Sequence, residues 1–168
     1  MPDLTPHQRI WRIEEASGEI TPKMTLRLLT RIHEEIRNWL DEPLLSAIPP
    51  VWFFESVAAR APSESGVGRP GSAWAGECHS ITDYDEAGNL KRRPKGPRVL
   101  SIGFVMPVRR YVVAHEVAHI LSTTCVKPRP GSDSHSVLWA EAYEKIAGVL
   151  WPLSSDLHIA LKEYVPND

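Results

Sequence analysis

Residues 111–121, YVVAHEVAHIL, constrain the fold more than any other stretch. Tyr111, Val112, Val113, Val117, Ile120 and Leu121 surround His115, Glu116 and His119. The pattern predicts a helix over about 109–124, apolar enough to be buried. A polar side chain inside such a helix costs roughly 2–7 kcal/mol unless something partners it. The fold must therefore wrap a core around this helix and supply a partner for two imidazoles and a carboxylate.

Spacing suggests what that partner is. Residues four apart lie on one helix face, one turn from each other. His115 and His119 can thus converge on one ion at about 2.0–2.1 Å, the zinc–imidazole distance. Glu116 lies beside that face, within reach of a water at an open coordination position. A carboxylate there can take the proton of the water and pass it to a leaving amine. This is the H-E-x-x-H arrangement of zinc hydrolases.

Such a site needs a third protein ligand. Downstream candidates are Cys125, Asp133, His135, Glu141 and Glu144. His135 is preferred. It follows a Gly-Ser-Asp-Ser turn and opens the next predicted helix, about 135–150, so the chain can double back over the motif helix. Glu141 is the alternative, giving a two-His, one-Glu site.

The rest of the chain supports one α+β domain over 1–168. Residues 5–17 read as a short helix closed by Gly18. Thr21 and Pro22 read as the N-cap and first position of a second helix, 22–41, ended by Pro43. Its apolar stripe is Met24, Leu28, Ile32, Ile36 and Trp39 or Leu40. These N-terminal helices take up 1–48. Strands are expected at 51–57, 73–83 and 98–105, with a mobile Gly-, Pro- and Ser-rich loop over 61–72. The helix at 135–150 has an apolar face of Val137, Leu138, Ala142, Ile146, Val149 and Leu150. Ser154 or Ser155 caps a last helix, 156–164. Two helices packed beneath a small antiparallel sheet are expected.

His115-Glu116-x-x-His119, followed by a loop and His135-Ser-Val-Leu-Trp139, resembles small single-domain zincin metallopeptidases of the SprT-like or minimal gluzincin type. The resemblance covers roughly residues 73–150. It implies a zincin-like fold, a small antiparallel sheet on an active-site helix. It also implies Zn2+ held by His115, His119 and His135, with Glu116 as the general base of peptide-bond hydrolysis. The strand before the motif helix, about 98–105, becomes the substrate-binding edge. Ser136 departs from the glycine common after the third His in the SprT-like group. No C-terminal cysteine zinc ribbon follows, so the DNA-linked role of some relatives does not carry over.

Two other readings compete with a peptidase. One is a zincin-fold binding module with intact ligands and no catalysis. The other is a nucleic-acid-associated protein using the basic loop at 91–98, with Lys91, Arg92, Arg93, Lys95 and Arg98. No aromatics interleave there to stack bases, and a formal net charge of -2 gives the chain no general pull toward polyanions. Strong nucleic-acid binding is not expected. Glu77, His79, Asp83 and Asp85 read as a solvated strand edge rather than a second metal site. Tyr84, Tyr111 and Tyr143 are candidate oxyanion donors, and the sequence selects none of them. Trp139 is expected to pack near the site. No apolar run approaches the roughly 20 residues of a membrane span. Cys78 and Cys125 lie far apart and outside any C-x-x-C pair, which points to a reducing, cytoplasmic setting.

Overall fold

The computed structural model describes residues 3–36, 50–54, 71–78, 99–125, 137–150 and 154–164. Ten elements follow in order: α1 (Pro6–Ala16), β1 (Glu19–Ile20), α2 (Pro22–Ile36), β2 (Val51–Phe54), β3 (Ala73–Cys78), β4 (Val99–Val105), β5 (Val108–Arg109), α3 (Arg110–Cys125), α4 (Val137–Leu150) and α5 (Ser155–Lys162). The chain is α+β, as expected. The segments 61–70 and 91–98 lie outside the described residues, and so does the expected helix end at Pro43.

Local chemistry fixes the helix starts. Thr5 caps α1 in a reciprocal box: its hydroxyl accepts from the Gln8 amide at 3.2 Å, and the Gln8 side chain accepts from the Thr5 amide at 3.0 Å. The Thr21 hydroxyl accepts from the Met24 amide at 3.1 Å and caps α2. Ser154 does the same for α5 through the Leu157 amide. The end of α1 differs from expectation. Ser17, in an extended conformation, is the C-cap. Gly18 instead gives its carbonyl to the Arg110 amide at 3.0 Å, so it serves tertiary pairing and not helix closure.

The main sheet corrects the antiparallel expectation. Its order is β2-β4-β3, with β3 antiparallel and β2 parallel to β4. The sheet is mixed because β4 inserts between two strands that would otherwise be sequence neighbours. β4 is consequently central: Ile102, Gly103 and Phe104 are paired on both sides. The strand before the motif helix is therefore no free edge, contrary to the substrate-edge role expected of 98–105. A second, two-residue antiparallel ladder joins β1 to β5, pairing Glu19 with Arg109 and Ile20 with Val108. It ties the end of α1 to the start of α3.

α3 and α4 pack on each other, and α3 also lies against β3. The core runs from Ile10 and Ile32 through Ile102, Phe104 and Val113 to Ile146 and Leu157. Two helices are turned relative to their expected stripes. In α2 the buried positions are Thr25, Leu29 and Ile32, while Met24 is 43% exposed. In α4 the buried face is Trp139, Ala140, Tyr143, Ile146, Ala147 and Leu150, and Leu138 is 44% exposed. Aromatic area explains the second rotation. Trp139 and Tyr143 bury the largest surfaces on the helix, and each has a polar tip that finds a partner on turning inward.

Candidate metal centre

α3 is buried at every position from Val112 to Ala118, so His115 and Glu116 are interior groups, 8% and 5% exposed. His119, one turn on, is half-buried. The two imidazoles converge: Nε2 of His115 lies 3.0 Å from Nε2 of His119. Two ring nitrogens at this distance cannot both present bare lone pairs. Either one ring donates an N–H to the other, or both turn their lone pairs to a metal ion. Zinc bonded to two imidazoles at near-tetrahedral angles would hold the nitrogens about 3.4 Å apart, close to the separation found. The pair fits a metal.

The other nitrogen of His115 is engaged from a different part of the chain. Nδ1 lies 2.6 Å from Oε1 of Glu14, on α1. Glu14 is 6% exposed and sits four residues beyond Ile10, on the buried face of α1. The same Oε1 accepts from the Tyr143 hydroxyl at 2.8 Å, and that hydroxyl lies 3.2 Å from the Tyr111 carbonyl. Trp139 completes the enclosure. Its indole Nε1 donates to the His115 carbonyl at 3.2 Å. Its ring meets His115 edge-on, with centroids 4.9 Å apart, and stacks on His119 at 5.6 Å.

This environment tunes the charges. Burial works against a charged His115 ring, but the Glu14 carboxylate, through its charge and its hydrogen bond, outweighs it and pushes the ring up to about 9. Burial raises the Glu116 carboxyl to about 7; His115 pulls the other way and Glu14 adds to the rise. Burial also holds the Tyr143 phenol well above its ordinary value, with Glu14 reinforcing it.

His115 and His119 are thus brought together, as expected of two residues on one helix face, with Glu116 the buried residue next to His115. His135, the expected third ligand, and Asp133 lie outside the described residues. Glu141 is exposed on α4, and Glu144 pairs with His158 at 2.7 Å. Among the described residues, no group of three or more His, Cys, Asp or Glu side chains is placed to hold a metal ion. Trp139 packs at the site as anticipated. Tyr143, a candidate oxyanion donor, spends its hydroxyl on Glu14 instead. His79, Asp83 and Asp85 lie outside the described residues. The residue that sequence reasoning missed is Glu14. Nothing in the sequence marks it apart from neighbouring Glu15, except its four-residue step from Ile10.

Comparison with known proteins gives no matching family model, no matching curated protein and no matching solved structure. The functional reading therefore rests on the residues themselves. Among the described residues, no helix is long and apolar enough to cross a membrane.

Proposed function

We propose that the chain is a zinc-dependent peptidase or related amide hydrolase, with a single zincin-like catalytic domain. The observation that carries this reading is the convergence of the His115 and His119 Nε2 atoms beside a buried Glu116. His115 and His119 would hold the metal through Nε2, with His135 as the expected third ligand. When bound, zinc supplies a Lewis acid that polarises a scissile carbonyl and acidifies the attacking water.

The remaining work falls to the side chains of the protein. Glu116 takes a proton from the water and returns it to the departing amine. Burial favours the protonated form of Glu116, which suits its return of the proton to the amine. Trp139 and Tyr143 exclude water from the His115 ring and fix its plane. The substrate class that suits this chemistry is a peptide or protein, and a cytoplasmic setting belongs to the same reading.

Glu116→Gln tests the mechanism. The substitution keeps size and hydrogen-bonding capacity but removes the base. Zinc content and folding should stay near those of the parent protein, while cleavage of a peptide found in a library screen should fall by roughly 100-fold or more. Cleavage at the parent rate would remove Glu116 from the mechanism.

A further inference from the structure

We infer that Glu14 is the positioning residue of the metal centre, holding His115 in the tautomer and ring orientation that direct Nε2 at the ion; this rests on the zinc reading above. The two nitrogens of His115 face different partners. Glu14 Oε1 meets Nδ1 of His115 at 2.6 Å, while Nε2 faces His119. A carboxylate at Nδ1 keeps a proton there as donor. The lone pair of the neutral ring is then confined to Nε2, the nitrogen that converges with its neighbour. Imidazole ligands in metal sites are oriented in this way, by an acceptor on the nitrogen away from the metal.

The placement of Glu14 is held by several independent contacts. The Thr5–Gln8 box fixes the start of α1, four residues before Ile10 enters the core. At the other end the Ser17 hydroxyl donates to the Glu14 carbonyl at 2.6 Å and accepts from the Tyr111 amide at 3.3 Å. Arg109 donates to the Glu15 carbonyl at 2.7 Å, and the β1–β5 ladder runs directly on from there. These contacts fasten the last turn of α1 to the first turn of α3. Tyr143 then approaches the carboxylate from α4 and donates to the same oxygen at 2.8 Å. Three helices thus meet at one carboxylate oxygen.

Stability alone is a poor account of that arrangement. A buried ion pair must offset the desolvation of both partners, and a well-packed apolar pair commonly does as well or better. The Tyr143 hydroxyl and Nδ1 of His115 both engage Glu14, so the network is specified in orientation as well as in packing. A fixed ring orientation is worth little to a core and much to a ligand.

The test compares the parent protein with Glu14→Gln, Tyr143→Phe and His119→Ala, all at one pH. Zinc affinity is read by competition with a chromophoric chelator, and the visible spectrum of the Co2+-loaded protein reports ligand geometry. The Gln amide oxygen can still accept from Nδ1, so the fold is kept while the carboxylate charge is lost. Glu14→Gln should weaken zinc binding by about 10–100-fold and shift the Co2+ spectrum. Tyr143→Phe should give a smaller loss in the same direction. A merely structural Glu14 predicts a different pattern: altered melting of the metal-free protein, with zinc affinity and Co2+ spectrum unchanged. That result would overturn the inference while leaving the zinc reading intact. A parent protein that binds zinc no better than His119→Ala would overturn the zinc reading and this inference with it. Should Glu14→Gln fail to fold, nitrogen NMR of the zinc-loaded parent decides the matter. Protonated Nδ1 and coordinated Nε2 on His115 support the assignment, and coordination through Nδ1 refutes it.

Discussion

α2 and α3 are helices of similar length that treat polar residues in opposite ways. α2 buries one stripe, Thr25, Leu29 and Ile32, and leaves Lys23, Arg27 and Glu34 in solvent. Its interior polar atom, the Thr25 hydroxyl, is satisfied locally by the Thr21 carbonyl at 2.9 Å. α3 is buried almost all round and still carries His115 and Glu116 inside, with His119 half-buried beside them. His115 draws its outside partners from α1 and α4: Glu14 at Nδ1 and Trp139 at its carbonyl. Water solvates the polar face of α2, whereas α3 depends on a built network in which two imidazoles meet at their Nε2 atoms. The difference shows where this chain has committed polar groups against their solvation preference, and such commitments mark function more often than stability.

Trp139→Ala should break that contrast most severely. It removes a fully buried ring that packs on both imidazoles and donates to the His115 carbonyl. Denaturant unfolding should show a loss of about 3–5 kcal/mol. Leu26→Ala, on the exposed side of α2, should move the same midpoint by under about 0.5 kcal/mol. Comparable losses at the two positions would mean that α3 and its surroundings are no more tightly specified than α2.

A smaller effect is expected from pH, because the two buried groups of α3 titrate unusually and the polar face of α2 does not share their environment. His115 is raised to about 9, so its contribution to stability is complete below its ordinary value near 6.5 and lost as pH rises through about 9. Glu116 is raised to about 7; the folded state binds its proton more tightly, and that contribution is lost between about 4.5 and 7. Both signs agree. The metal-free protein should unfold at lower denaturant at pH 9 than at pH 6. Zinc affinity should change the opposite way, rising over the same interval, because His115 must shed its Nε2 proton to bind. A metal-free midpoint that holds steady or rises toward pH 9 would show that the folded state does not hold these two protons as described.

The legibility of the chain follows the range of the interactions. The His115–His119 convergence spans one helical turn, and spacing alone displayed it. The helix start at Thr21 was readable, and that at Ser154 was narrowed to two serines, because a cap is a contact over three residues. Glu14 meets His115 across 101 residues of sequence, and only its four-residue step from Ile10 separates it from Glu15. The rotation of α4 escaped periodicity for a related reason. Leu138 and Trp139 are both apolar, and the choice between them is made by partners on α1 and α3. The order β2-β4-β3 was hidden because it depends on which strand enters between two others. β1 and β5 are two residues each, too short for any alternation to show.

The central claim is that His115 and His119 hold one zinc. Native mass spectrometry of the protein, purified without added metal and then titrated with one equivalent of Zn2+, tests it directly. The account predicts a single zinc per chain in the parent protein and in Glu116→Gln, and none retained in His119→Ala. A parent chain that stays metal-free under these conditions, or a His119→Ala chain that keeps its zinc, would contradict it.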